Sequence, residues 1–212
     1  MGNKASIAKL TIGPVLGVVL AGGLSSRMGA QDKALLELAG QPMVIRVIDR
    51  LSPQVDYVVV SANQALGPVT ERNIPIIGDV LPDYPGPLAG LLSAMEWARN
   101  YQPDVEWIGC ISVDTPLFPR DLVQQLAKGC GVAQKAACAA SNGRRHPTIG
   151  LFSLSLADGL RAFLEAGERK VGRWMDEIGA QSVEFDARDG DPFFNINTPE
   201  DLLDPIMQQL SD

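Results

Sequence analysis

The sequence predicts a single-domain α/β fold, a mostly parallel sheet with helices on both faces. Three observations carry that reading. Short apolar runs alternate with segments of helical spacing from residue 15 onward. The length of 212 residues suits one compact domain with a sizeable core. No repeat, linker or low-complexity tract divides the chain.

The elements follow in order. Residues 15–21, 56–61, 74–77, 106–112 and 136–140 are short, largely apolar runs of strand length and read as buried strands. A first helix is expected over 42–51. A second carries Leu88, Leu91, Leu92, Met95 and Ala98, the i, i+3, i+4, i+7, i+10 stripe of a helix packed on a sheet. A third is expected just after Phe118-Pro119, because proline is tolerated in a first helical turn. Alternating β and α patterning implies parallel strands joined by helical crossovers. The second half is less regular. Residues 148–153 read as a strand that can run antiparallel, and Ser155 as the cap of a helix reaching Glu165, ended by Gly167. Residues 168–178 read as a short helix and 181–186 as a strand. Thr198-Pro199-Glu200-Asp201 marks a last helix start, interrupted near Pro205. Residues 1–13 read as a loosely held extension.

Composition narrows the function classes. Apolar residues are 46% and charged residues 20%, which excludes an extended disordered protein. The longest apolar run, 15–21, is far too short to span a membrane and is broken by Gly17. Met1-Gly2-Asn3-Lys4-Ala5-Ser6 fits the short myristoylation pattern, but no second membrane signal follows and no secretory signal is expected. The three cysteines form no C-x-x-C pair, which argues against a disulfide framework or a cysteine-rich zinc site and for a reducing, cytoplasmic setting. A net charge of −7 makes nucleic acid an unlikely partner and leaves anion binding to local concentrations of cations and backbone N–H groups.

One such concentration follows the first strand. Leu20-Ala21-Gly22-Gly23 leads into a loop carrying Arg27 and Lys33. Glycines let the backbone approach an oxyanion closely, Arg27 offers a planar fork, and Lys33 a compact charge. Neither G-x-x-x-x-G-K-[ST] nor G-x-G-x-x-G is present, so this is neither a Walker A loop nor a dinucleotide fingerprint. Asp114 follows the run 107–113, at the strand edge where open α/β sheets bind ligands. Asp79 ends the 74–77 run in the same way. Gly86-Pro87-Leu88-Ala89-Gly90 opens a helix with small residues that let a ligand reach its N-terminal N–H groups. His146 is the sole histidine, beside Arg144 and Arg145, and reads as structural before catalytic. Arg169, Lys170 and Arg173 form a further cationic cluster, by default a solvated face.

The signature L-A-G-G-x-S-x-R-M-G-x-x-K resembles the loop of the nucleotidyltransferases with a Rossmann-like fold, of the nucleotide-diphospho-sugar transferase type. It is most similar to the MobA molybdenum cofactor guanylyltransferases. The similarity continues through Asp79, residues 83–90, Asp114-Thr115-Pro116, His146-Pro147-Thr148 and Asn195-Ile196-Asn197-Thr198-Pro199-Glu200-Asp201-Leu202, so it spans nearly all of 14–212.

The resemblance implies a set of roles. Arg27, Lys33 and Asp114 would act in catalysis. Leu20, Ala21, Gly22, Gly23, Lys33, Ser61, Asp79 and Asp114 would bind the nucleotide, with Asp79 on the guanosine. Pro87, Leu88, Asn195 and Asn197 would meet substrate, and Asp114 with Asn197 would hold Mg²⁺. Ser61 stands where the family tends to place Asn, with Asn63 or the Ser61 hydroxyl as substitutes. The 169–173 cluster becomes a docking candidate for an anionic pterin. The expected reaction is GMP transfer from GTP to the terminal phosphate of molybdopterin, releasing pyrophosphate. Apo-molybdoenzymes or their chaperones are further candidate partners, with no nucleic acid and no membrane. The alternatives are a cytidylyltransferase on the same pterin, a sugar-phosphate nucleotidyltransferase, and a non-catalytic cofactor-delivery module. Gly22, where related cytidylyltransferases tend to carry Ala, favours a purine.

Overall fold

The computed structural model describes residues 12–22, 33–81, 86–131, 133–197 and residue 201. At its centre is strand β1 (Val15–Leu20), buried at every position because a strand pairs with it on each side and helices cover both faces. A small antiparallel hairpin, β2 (Glu37–Leu38) and β3 (Gln41–Pro42), precedes helix α1 (Met43–Leu51). Strand β4 (Tyr57–Ser61), helix α2 (Gly67–Thr70) and strand β5 (Ile76–Ile77) build one flank of the sheet. Helix α3 (Pro87–Tyr101) returns the chain to β6 (Trp107–Ser112), on the other side of β1. Helix α4 (Leu122–Lys128), strands β7 (Ala136–Ser141) and β8 (Arg144–Ser153), helices α5 (Ala157–Glu165) and α6 (Val171–Glu177), and strand β9 (Gln181–Phe185) follow.

The seven-stranded order is β5-β4-β1-β6-β8-β7-β9. Every strand runs parallel to β1 except β8, which is antiparallel to both its neighbours, as the sequence allowed for 148–153. Two apolar layers sandwich the sheet. Val15 and Val19 face α1 and α4 with Phe118, Phe193 and Ile196. Leu16, Val18 and Leu20 face α3, α5 and α6 with Leu91, Met95 and Trp174. The alternation along β1 is the ordinary two-residue period of a strand, hidden in the sequence because both faces are covered.

Several boundaries differ from expectation. Strand β8 starts at Arg144 rather than at residue 148, and α6 spans Val171–Glu177 rather than 168–178. The third helix begins at Leu122 rather than directly after Pro119. Buried Gln54 holds the intervening turn, donating to the Pro119 carbonyl at 3.2 Å and accepting from Val123 N–H at 3.1 Å. Ser153, not Ser155, caps the turn before α5, accepting from the Ser155 N–H at 3.3 Å. The fifth strand is cut to Ile76–Ile77 because Pro75 has no N–H to donate; its carbonyl accepts from Val60 instead. The 198–200 helix start and the Pro205 break lie outside the described residues, as do residues 1–11.

Candidate active site

Strands β1, β4 and β6 end level with one another, Leu20 facing Ser61 on one side and Ser112 on the other. The ladders run one residue further: Ala21 N–H donates to the Ser61 carbonyl at 2.9 Å, and Val113 N–H to the Leu20 carbonyl at 3.0 Å. Asp114 is therefore launched from a fixed strand end. Thr115, almost fully buried, closes the turn with its hydroxyl 2.9 Å from the Ser112 carbonyl.

A late segment crosses this edge. Ile196, wholly buried, donates its N–H to the Asp114 carbonyl at 2.8 Å. Asn195 and Asn197 flank it and are both exposed, so the two amides share the outer face, as their two-residue spacing suggested. Asp201 accepts from the Asn197 N–H at 2.6 Å. Lys33 sits between the two segments. Its ammonium lies 3.2 Å from Asp114 Oδ2 and 2.9 Å from Asn197 Oδ1. Asp114 Oδ1 is buried with no hydrogen-bond partner among the described residues. A buried carboxylate oxygen left unpaired is costly, so this atom marks where a ligand proton or a cation gains most.

The neighbouring strand end adds a second acid. Asp79 is clamped by Asn63, whose Nδ2 donates to Asp79 Oδ2 and whose Oδ1 accepts from the Asp79 N–H, both at 2.9 Å. Ser61, in contrast, is buried and turned to helix α3. A Cβ added at Gly90 would stand 2.6 Å from Ser61 Oγ and 2.9 Å from a Leu20 methyl, so only glycine lets the helix press this closely. The Ser61 and Leu20 side chains are thus packing groups, and a ligand beside them meets backbone. Among the described residues the nearest atom to a Cβ added at Gly22 is the Ser61 carbonyl oxygen, 3.8 Å away, so none of them crowds a ligand there. Gly86 (φ +138°) precedes α3, Pro87 is half-buried, and the Leu88 side chain belongs to the core. Leu88 therefore offers a ligand its N–H rather than its side chain.

Not every candidate joins this edge through free side chains. His146 lies against Ser141, with Nε2 and Oγ 2.7 Å apart, and its ring packs on Phe193 at 4.8 Å. The Ser141 hydroxyl donates to Asp191 at 2.8 Å, so the imidazole must be the donor to Ser141. Asp191 also accepts from the Phe193 N–H at 2.9 Å. This chain fastens the 191–197 segment that delivers Asn197, a structural role for His146. Arg145 pairs with Asp176, and Arg173 with Glu168, so the 144–145 and 169–173 clusters are partly neutralised. Gly23, Arg27 and residues 83–85 lie outside the described residues. Ser141 and Asp191 escaped sequence reasoning because their contact spans 50 residues and follows no motif. The sequence offers Asn63 only as a substitute for the Asn that the family tends to place at position 61, and its clamp on Asp79 leaves no local signal.

Residues 17–181 match the family described as the MobA-like NTP transferase domain. A molybdenum cofactor guanylyltransferase of Nitrobacter hamburgensis is 40% identical over 198 residues, covering 92% of this chain and 94% of that protein. One of Rhodopseudomonas palustris is 43% identical over 190 residues, covering 88% and 90%. Among solved structures, molybdopterin-guanine dinucleotide biosynthesis protein A of Archaeoglobus fulgidus superposes with a TM-score of 0.68 at 22% identity, over 92% of this chain and 97% of that one. A CMP:2-keto-3-deoxy-manno-octonic acid synthetase complexed with CTP gives 0.71 at 16% identity, over 93% and 98%. These two likenesses speak to the fold.

Proposed function

The chain belongs to the MobA-like NTP transferase family, and on that premise we propose that it transfers GMP from GTP to the terminal phosphate of molybdopterin. A pterin phosphate oxygen attacks the α-phosphorus of GTP, the bond from that phosphorus to the bridging oxygen breaks, and pyrophosphate leaves. The product is molybdopterin guanine dinucleotide. The observation that carries the site assignment is the convergence of Lys33, Asp114 and Asn197, with one Asp114 oxygen buried and unpaired among the described residues.

Phosphoryl transfer asks for position and charge stabilisation more than for a covalent intermediate. Ala21 and Gly22 offer backbone at an open strand end. Lys33 supplies a positive charge to phosphate oxygens and, without them, neutralises Asp114. Asp79, held by Asn63, is placed to accept hydrogen bonds from a nucleobase. None of the described residues crowds Gly22, which is compatible with a purine.

Among the described residues no group of three or more His, Cys, Asp and Glu gathers, so no all-protein metal cage is built. Mg²⁺ typically needs only one or two protein oxygens beside substrate phosphates. The unpaired Asp114 Oδ1 and the adjacent Asn197 amide oxygen fit that donor set, and they are the residues that would hold it. When bound, Mg²⁺ would supply charge neutralisation at the transferring phosphate and the departing pyrophosphate. Among the described residues no helix is long and apolar enough to cross a membrane.

Two measurements test this reading. With Mg²⁺, GTP at a hundred times its dissociation constant should stabilise the fold by about 2.7 kcal/mol. For a chain of this size that is a shift of roughly 5–10 °C, larger than with CTP, ATP or UTP. A shift with CTP alone would move the substrate to the cytidylyl class. Asp114→Asn should keep the unfolding temperature within a few degrees yet lower kcat about 10²–10³-fold, the loss typical when one preorganised electrostatic group is removed. Near-normal turnover would remove Asp114 from the chemistry.

A further inference from the structure

A second concentration of positive charge lines a cavity to which neither Lys33 nor Asp114 contributes. Helix α1 carries Arg46 and Arg50 one turn apart, and the 116–120 segment brings Arg120 to face them across a cavity of about 180 Å³. Backbone carbonyls hold both helix arginines rigidly. Arg46 donates from Nη2 to the Leu38 carbonyl at 2.8 Å and from Nε to the same oxygen at 3.2 Å. Arg50 donates from Nε to the Phe118 carbonyl and from Nη2 to the Leu117 carbonyl at 3.2 Å. Neither bonding pattern uses Nη1. Arg120 is exposed.

None of the three forms an ion pair with a carboxylate among the described residues. Asp49 does line the cavity, but its two oxygens are taken by Arg72 and by Gln41 Nε2, the latter at 2.8 Å. The lining thus holds three positive charges and one negative, a net two positive, on a chain whose total is −7. Burial lowers the Arg50 pKa from its ordinary value, and Arg120 and Arg46 push the same way. Like charges held this close without a counter-ion lack a partner.

We propose that this cavity is an anion subsite for a single phosphate group, either the free ion or the end of a small phosphomonoester. A phosphate carries about −1.5 to −2 charges near neutral pH, which matches the net lining charge. Its oxygens suit the planar forks of fixed guanidiniums better than a point charge does. The volume equals about six water molecules at roughly 30 Å³ each, enough for a phosphate and far too little for a nucleoside. A peptide carboxylate would need an open groove, whereas this cavity is a small recess between a helix, a hairpin and a loop. The subsite stands independently of the reaction proposed above.

The test is calorimetric titration of the full chain with inorganic phosphate and, separately, glycerol 3-phosphate. It is done without divalent metal and against chloride at matched ionic strength. Wild type, Arg46→Gln, Arg120→Gln and Lys33→Gln are compared. Arg120 makes no hydrogen bond among the described residues, so its variant should unfold at the wild-type temperature when phosphate is absent. Saturable binding that survives in Lys33→Gln and weakens about tenfold or more in both arginine variants is expected, the loss usual for one charge-assisted hydrogen bond. The tighter of the two probes then separates free phosphate from a monoester. No saturable binding of either probe to wild type would overturn the proposal. So would binding lost in Lys33→Gln but intact in Arg120→Gln, which would return the anion to the nucleotide site.

Discussion

An aspartate at the end of a two-residue strand has several rotamers open to it, and Asn63 restricts Asp79 to one by gripping its carboxylate and its N–H together. One carboxylate oxygen is thereby committed; on the proposed reading the other accepts from the nucleotide. Asn63→Ala should free the rotamer and raise the KM for GTP about 2–10-fold, the worth of one hydrogen bond of ordinary net strength. The kcat should stay nearly constant, because Asn63 acts through Asp79 and not on the transferring phosphate. A steady-state KM and kcat both equal to wild type would show that Asp79 needs no such clamp, or that it contacts no nucleotide. At this scale the motifs named residues that the fold brings together. Lys33, Asp114 and Asn197 were each singled out, and the structure brings all three within hydrogen-bond reach. What the motifs could not give is direction. Ser61 occupies the expected place on β4, yet its hydroxyl is turned to Gly90, because close helix packing, not ligand contact, decides where a buried serine points. The three arginines around the small cavity were invisible for a related reason: residues 46 and 50 read as an amphipathic helix, and nothing local couples them to residue 120.

At the scale of elements, the periodicity that marks β1, β4, β6 and α3 was plain because each buries a continuous apolar surface. The 144–153 strand was harder, since its first half is polar and contains Pro147. The pairing explains why. Between Cys138 and Ala139 the register jumps, with Gly150 and His146 as the successive partners, so residues 147–149 bulge from the ladder. Proline, with no N–H, is at home in such a bulge. The jump sets His146 against Ser141 and so ties strand β7 to the 191–197 segment. Burial is the main cause that lowers the His146 pKa below its usual value; Arg144 adds to it, while Asp191 and Glu184 oppose it. The unfolded chain takes up a proton near pH 6.5 and the folded chain only at lower pH. As pH falls, protons therefore favour the unfolded state: the contribution is fully present above about 6.5 and is lost as pH drops through the lowered folded value. Thermal unfolding of wild type should weaken from about pH 7 to pH 5, and His146→Gln, which keeps an N–H for Ser141, should flatten that slope. Identical slopes for the two proteins would mean that His146 titrates as freely folded as unfolded.

Across the whole molecule, the order of strands decides how the site can fail. Lys33 and Asn197 meet across 164 residues of sequence, so the site has no local origin and exists only where both ends of the chain are folded together. A chain above about 150 residues often unfolds through intermediates, and a split between the β1–β6 half and the later strands would be the natural line. The topology argues against that split. Strand β8 is inserted between β6 and β7, pairing with β6 from Trp107 to Cys110 and with β7 from Ala136 to Ser141, so the later strands belong to the same sheet and the same two cores. Two buried tryptophans report on the two halves. Trp107 begins β6, and Trp174 on α6 packs against Phe152 of β8 with ring centres 5.5 Å apart. In urea, single-tryptophan variants retaining one or the other should unfold with the same midpoint, and stabilisation by GTP should move both midpoints equally. If Trp174 changed first, with GTP shifting only the Trp107 transition, the later strands would be a separate cooperative unit. Asn197, which reaches Lys33 from beyond those strands, would then contribute nothing to nucleotide binding. One shared midpoint would instead mean that any core substitution, however far from Asp114, lowers the folded population and the active population by the same factor.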